Sequence, residues 1–465
     1  MTRGGETRTE HDSLGAVEVP ADAYWGAQTE RARANFPRGD DRFPDALVHA
    51  FGAVKLACAR ANAAVDVLPA SLAALVEEAA GEVARGGLDG AIVVPVWHSG
   101  SGTQLNMNVN EVIAGRANEL AGRGRGGREP VHPNDHVNRS QSSNDVVPTA
   151  LHVAAIASTE QRLLPALAAL IETLDERRAA IGDVETVGRT HLMDALPITL
   201  GHQLTAWREL ATGARAHIEA SLEPLRTVPL GGAAVGTGAG TPDGFKDRAI
   251  GELAAVIERE LMPAALPLGR QAAHAAPLGL SGALRDLATG LHTIAEDVRL
   301  LGSGPRCGLG ELILPANEPG SSAMPGKVNP TQCEAMVMIA LQVMANDQAC
   351  ALAARAGHLQ LNTARPLLAV NLLRSIDLLA EGVASFDARC LAGLDVDRER
   401  TRELRERSLM LVTALVPRLG YDRAAAIAAR AHREGITLRE AVLAEGALEA
   451  GEFDALIAAL TSGTP

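Results

Sequence analysis

Aromatic residues are scarce: Phe, Trp and Tyr make up 2% of the 465 residues, against a hydrophobic share of 47%. A core without rings must be assembled from Ala, Leu, Val and Ile, and Ala-rich windows favour helix over strand. Cysteine is sparse too. The five thiols (Cys58, Cys307, Cys333, Cys350, Cys390) are odd in number and show neither CxxC nor Cys/His ligand spacing. That argues against a disulfide scaffold and a zinc site, and a reducing cytoplasm is the simplest home for such thiols. Positive charge is in deficit. A formal net charge of −13 argues against nucleic acid or an anionic membrane as partner, but not against a small anion held by a local cluster of donors. No apolar run follows the N-terminal basic residues, so no signal peptide is expected. No apolar segment reads as long and charge-free enough to span a bilayer.

What is present is a chain long enough for two or three domains. Residues 1–45 are polar and broken by Gly15, Pro20, Gly26 and Pro37. A helical pattern runs from about Asp45 to Arg85 with a break at Pro69, and the low-complexity stretch Gly122 to Arg128 reads as a surface loop. Beyond residue 135 long helices dominate. Leu284, Leu287, Leu291, Ile294, Val298 and Leu301 alternate steps of three and four, and Leu372, Ile376, Leu379, Val383 and Phe386 repeat the pattern. This is the spacing of a bundle seam, and on helices so long it suggests burial against other subunits. The expected fold is all-α, with an N-terminal domain over 1–141, a central bundle over 142–396 and a small C-terminal domain over 397–465.

Four polar clusters lie far apart along the chain: Ser101 with Thr103; Ser140 to Asp145; Gly188-Arg189-Thr190-His191; and the loop Gly320 to Pro330. Singly, each has a plain explanation, since Ser and Asn beside Gly are common turn residues and a lone His is often structural. The glycine-rich run Gly231 to Gly238 lacks a following Walker lysine and a preceding strand, so it reads as a connection between helices. The last cluster is the most informative. In Gly320-Ser321-Ser322-Ala323-Met324-Pro325-Gly326-Lys327-Val328-Asn329-Pro330 two glycines and two prolines interrupt helix and strand alike, while two hydroxyls, an ammonium and a carboxamide crowd together. A helix should follow, with Thr331 as its N-cap. A donor-rich loop at a helix N-terminus suits a carboxylate or a developing oxyanion.

This loop resembles the signature of the fumarase/aspartase superfamily, GSSxMPxKxNP, at every fixed position. The other clusters resemble that superfamily's conserved regions in the same order, over nearly the whole chain. Thr190-His191, Ser142-Ser143-Asn144, Arg365-Pro366 and Pro330-Thr331-Gln332-Cys333-Glu334 lean toward the class II fumarase branch. The resemblance implies a three-domain lyase assembled as a homotetramer, with each site drawn from several subunits, and no metal or cofactor. It implies a small dicarboxylate as substrate, with anti elimination of water or an amine beta to a carboxylate. Ser321 would be the base that takes the C3 proton, and Lys327 and Asn329 would stabilise the aci-carboxylate. Ser101, Thr103, Ser142, Ser143, Asn144, Thr190 and Ser322 would orient the rest of the substrate. His191, oriented by Glu334, would place the water. His132, Asn134 and Asp135 resemble a second, peripheral dicarboxylate site, and read equally as a helix-capping turn.

Four positions depart from the usual fumarase pattern: His98 and Met193 in place of Gln, Gly240 in place of Asn, and Gln360 in place of Glu. Either they alter substrate recognition or they are drift around the site. The functional expectation is fumarate hydratase. A sister lyase that releases an amine or handles a substituted succinate is the alternative, and a non-catalytic homologue is a third reading that the intact set of polar residues opposes.

Overall fold

The computed structural model describes residues 6–37, 39 and 41–461, and it is mostly helical, as the composition demands. Strands among the described residues pair only two at a time, the longest being the hairpins Thr7–Asp12 with Gly15–Pro20 and Glu185–Thr190 with Met193–Thr199. The chain divides into two compact units that interleave in sequence. One holds the residues up to Leu164, Ala216–Asp286 and Gln342–Ala380; the other holds Pro165–Arg215, Leu287–Leu341 and the residues from Glu381 on.

In the first unit the helix Asp45–Ala64 is the organising element. It packs against the helices Ala70–Ala84, Ser143–Ser158 and Phe245–Ile257. Its Leu47, Phe51, Val54, Ala57 and Ala61 are almost wholly buried, as expected of a helix apolar on several faces. The break at Pro69 is as the sequence predicts, the next helix starting at Ala70. Lys55 is fully buried in this helix, and its Nζ donates to Asn138 Oδ1 at 3.0 Å and Gln141 Oε1 at 2.9 Å. These bonds fasten the core helix to the loop that precedes Ser142.

The second unit contains the 185–199 hairpin, packed against the helix Arg398–Arg407. Arg189 on this hairpin reaches the buried Glu311 with two bonds, at 2.6 and 3.2 Å. Near the C-terminus Leu415, Ile427, Leu438, Val442 and Phe453 form a hydrophobic cluster of their own.

Two expectations are corrected here. The seam residues Leu284, Leu287, Leu291, Ile294 and Val298, and Leu372, Ile376, Leu379, Val383 and Phe386, are buried within the single chain, and only Leu301 is partly exposed, so the seams leave little for a partner to cover. A different stripe leaves more. On the helix Thr331–Arg355, residues Glu334, Met338, Leu341, Ala345, Gln348 and Leu352 are all exposed, at alternating steps of four and three. This same helix is long and apolar enough to cross a membrane by length and composition, contrary to the expectation that no segment is. Its hydropathy has a plain origin: one apolar face packs inside the chain and a second, carrying Met338, Leu341 and Leu352, lies open.

Candidate active site

In the first unit, two helix N-termini meet through hydroxyls. Thr103 opens the helix Thr103–Leu120 and Ser143 opens Ser143–Ser158. Ser99, Ser101, Thr103 and Ser143 form a hydrogen-bonded chain of four hydroxyls, with O···O separations of 3.0, 2.9 and 2.9 Å. The first of these loops fits only because position 100 has no side chain. A Cβ on Gly100 would lie 1.5 Å from Thr363 O.

Ser142 is the N-cap of the second helix. Its Oγ accepts from Asn144 N at 3.2 Å, while Asp145 accepts from Ser142 N at 2.9 Å, completing a capping box. The other oxygen of the buried Asp145 accepts from Gly231 N and Ala233 N at 3.1 and 3.0 Å. The glycine-rich run therefore does cradle an anion, but the anion is the protein's own carboxylate. Burial raises the Asp145 carboxyl to about 6, with the three amides and Lys55 pulling the other way. Asn144 is held at both ends of its amide: Nδ2 donates to Ala234 O at 2.8 Å and Oδ1 accepts from Arg365 at 3.2 Å.

Arg365 is the residue that sequence reasoning missed. Only 1% exposed, it donates to Ser101 O, Ser143 O, Asn144 Oδ1 and Gln271 O. The Arg-Pro dipeptide was visible, but three of the acceptors are backbone carbonyls far away in sequence, and no pattern of side chains announces them.

In the second unit the loop at 320–330 closes on itself. Gly320 N donates to Lys327 O at 2.9 Å, and Asn329 Nδ2 donates to Gly320 O at 2.7 Å. A Cβ at position 320 would lie 2.5 Å from Lys327 O, so glycine is required. Within the closed loop Ser321 Oγ accepts two amide hydrogens, from Ala323 N at 3.2 Å and Met324 N at 3.1 Å. Ser322 and Lys327 are exposed, and Lys327 makes no salt bridge among the described residues. Thr331 is the first residue of the following helix rather than its cap, and its hydroxyl donates to Glu318.

The 185–199 hairpin presents Thr190 and His191 at its tip. Thr190 pairs with Met193, which leaves His191 and Leu192 as a two-residue turn with φ of 55° and 63°. Such turns favour Asn and Gly, and bulkier residues held there cost roughly 1 kcal/mol or more each. Strain of this kind, at an exposed tip braced by the Arg189–Glu311 pair, is where a functional histidine is expected. His191 and Glu334 are both exposed, and among the described residues no hydrogen bond joins them.

The remaining expected residues are placed as follows. His132 caps the short helical turn Pro133–Val137, its Nδ1 accepting from Asn134 N and Asp135 N at 3.1 Å each. Asn134 and Asp135 are exposed. The capping reading of this motif thus has a concrete geometry, with His132 as the cap. His98 rests against Phe36 and Phe43, with ring centroids 6.3 and 5.6 Å away, and burial lowers its pKa, which favours a neutral ring. Met193 is 68% exposed beside His191, Gly240 lies in an open turn, and Gln360 sits in a tight turn between two short strands. Among the described residues no group of three or more His, Cys, Asp or Glu side chains is placed to hold a metal ion.

These groups match known proteins over most of the chain. Residues 15–345 fit the family described as lyase, and residues 411–460 fit the fumarase C C-terminus family. A class II fumarate hydratase of Pseudomonas syringae pv. tomato is 53% identical over 97% of this chain and 97% of its own. One from Thermosynechococcus vestitus is 52% identical over 97% and 96%. Among solved structures, the class II fumarase of Schistosoma mansoni superposes with a TM-score of 0.93 at 38% identity, covering 97% of this chain and 98% of its own. A fumarate lyase/delta crystallin structure from Brucella melitensis gives 0.90 at 41%, covering 97% and 99%. The chain belongs to the lyase family, in its class II fumarate hydratase branch.

Proposed function

We propose that this chain catalyses the reversible anti addition of water to fumarate, giving L-malate. The observation that carries this reading is the pair of amide hydrogens on Ser321 Oγ. A serine hydroxyl is too weak an acid to be present as an alkoxide at neutral pH unless its anion is stabilised. Two amide donors, with a free ammonium on the same loop, are the means of doing so.

In the direction of dehydration, Ser321 Oγ takes the C3 proton of malate. The electron pair spreads into the adjacent carboxylate, which Lys327 and the remaining N–H of Asn329 hold. The C2 hydroxyl then leaves as water on the opposite face, protonated through a water that His191 and Glu334 position. Thr103, Ser142, Ser143, Asn144, Ser101, Ser322 and Thr190 orient the second carboxylate and the carbon chain by neutral hydrogen bonds. No metal or cofactor takes part in this scheme.

We infer a homotetramer in which each site draws on several subunits. Two features support this: the open apolar stripe on Thr331–Arg355, and the absence of a His191–Glu334 bond within one chain among the described residues. We read the chain as three domains, over 1–141, 142–396 and 397–465, and the separate family match at 411–460 supports the last of these. Free cysteines, four of the five buried, support a cytoplasmic location.

Replacing Ser321 by Ala tests the mechanism. Loss of the base is expected to cut turnover by about a hundred-fold or more. Stability should change by only about 0.5 kcal/mol, because the loop residue packs little area. A variant with wild-type turnover would remove Ser321 from the role.

A further inference from the structure

Arg365 is a buried positive charge with no direct ion pair among the described residues. All four of its acceptors are neutral: Ser101 O at 3.1 Å, Ser143 O at 3.5 Å, Asn144 Oδ1 at 3.2 Å and Gln271 O at 2.6 Å. Its backbone N donates to Gly100 O at 3.0 Å, and its Nε is buried with no partner among the described residues. The buried carboxylate of Asp145 acts on it only through space, its oxygens accepting from the amides of Ser142, Gly231 and Ala233. Leaving a buried cation unpaired is costly, and such a cost is tolerated where an anion binds nearby.

The Asn144 amide shows how the charge is used. Because Arg365 donates to Oδ1, the carbonyl end of that amide is turned toward the guanidinium. Nδ2 gives one hydrogen to Ala234 O, so the group Asn144 has left to offer is its second N–H. A carboxylate accepts hydrogen bonds and cannot donate them. An Asn free to flip would present its carbonyl part of the time and repel the ligand.

We propose that Arg365 is a positioning residue for dicarboxylate recognition, fixing Asn144 as a donor, tying the Ser101 and Ser143 loops together, and supplying buried positive charge behind them. The proposal rests on the hydratase reading and deepens it by assigning a source of positive charge in a half-site whose proposed substrate-binding groups, Ser101, Thr103, Ser142, Ser143 and Asn144, are neutral.

The test uses the full chain, with KM for L-malate, kcat, and the dissociation constant of succinate, a dicarboxylate that cannot react. Arg365→Met is expected to raise both KM and the succinate constant about ten-fold or more, with kcat within about three-fold of wild type. A fall in kcat with both binding constants unchanged marks a purely structural role and overturns the proposal. Arg365→Lys keeps the charge, yet one ammonium cannot reach Asn144 and Gln271 together. It is expected to raise both constants about three-fold. Unchanged constants in Arg365→Lys overturn the proposal even if Arg365→Met does not fold. A wild-type chain that converts neither fumarate nor malate would sink the hydratase reading instead, and succinate affinity would still judge Arg365.

Discussion

Lys55 shows how a buried charge shapes this protein residue by residue. Burial drives its ammonium down to about 7 from an ordinary value near 10.5, with Cys58 and Asp145 opposing the fall. Below pH 7 both the folded and the unfolded chain hold the proton, and folding carries the cost of burying the charge. Above pH 7 the folded chain has released it while the unfolded chain keeps it to about pH 10, so this residue's contribution to stability improves as pH rises through that window. The gain is at most ~1.4 kcal/mol per pH unit. Melting of wild type and Lys55→Met at pH 7 and pH 9 checks it: the difference should shift in favour of wild type at the higher pH, and a constant difference contradicts it. Residues of this kind were not legible in the sequence. A lysine in an apolar helix gives no sign that two side-chain carbonyls from residues 138 and 141 await it, just as Arg365 gives no sign of its carbonyl acceptors. Ser321, Thr103 and Ser143 were singled out by the family resemblance of their loops, since hydroxyls beside Gly are by themselves common turn residues.

At the scale of elements, the site depends on loops held at fixed closure. The break at Pro69 and the irregular loop at 320–330 were readable from Pro and Gly alone, because these residues act through the backbone. The hairpin tip was not. Two positive-φ residues with the sequence His-Leu oppose the usual turn preferences, and only the surrounding structure holds them there. Thr331 was expected as a cap because hydroxyls usually cap, but Glu318 accepts its hydroxyl and the helix begins one residue sooner. The tightest of these closures is at Gly100, where the loop bearing Ser101 and Thr103 abuts the backbone at Thr363. Gly100→Ala is expected to destabilise the fold by about 1–3 kcal/mol. It should also lower activity by more than the loss of folded protein explains, since the hydroxyl chain moves with the loop. Thermal melting with activity per folded molecule measures both, and a variant normal in both would mean that the loop gives way freely.

For the whole molecule, helix content and the long bundle segments followed from an aromatic-poor, Ala- and Leu-rich composition. The proposed tetramer does not rest on the seams that suggested it. A three-four repeat marks burial without naming the partner, and here the partner is the chain itself. The open stripe on Thr331–Arg355 was harder to read, because Ala345 and Gln348 dilute it and apolar residues such as Met336, Ala340 and Val343 line its buried face as well. Met338→Glu combined with Leu341→Glu places charges on that stripe and should convert a tetramer into smaller species. Sedimentation at micromolar concentration would show it, with activity falling in parallel if sites are shared. A double variant that remains tetrameric and active would move the interface elsewhere.

The most direct test of the central claim is the ultraviolet absorbance of fumarate, followed after the purified chain is given L-malate or, separately, L-aspartate. Absorbance should rise with L-malate until the reaction reaches equilibrium and stay flat with L-aspartate. A rise with L-aspartate and none with L-malate would contradict the hydratase assignment and make the chain an amine-releasing lyase.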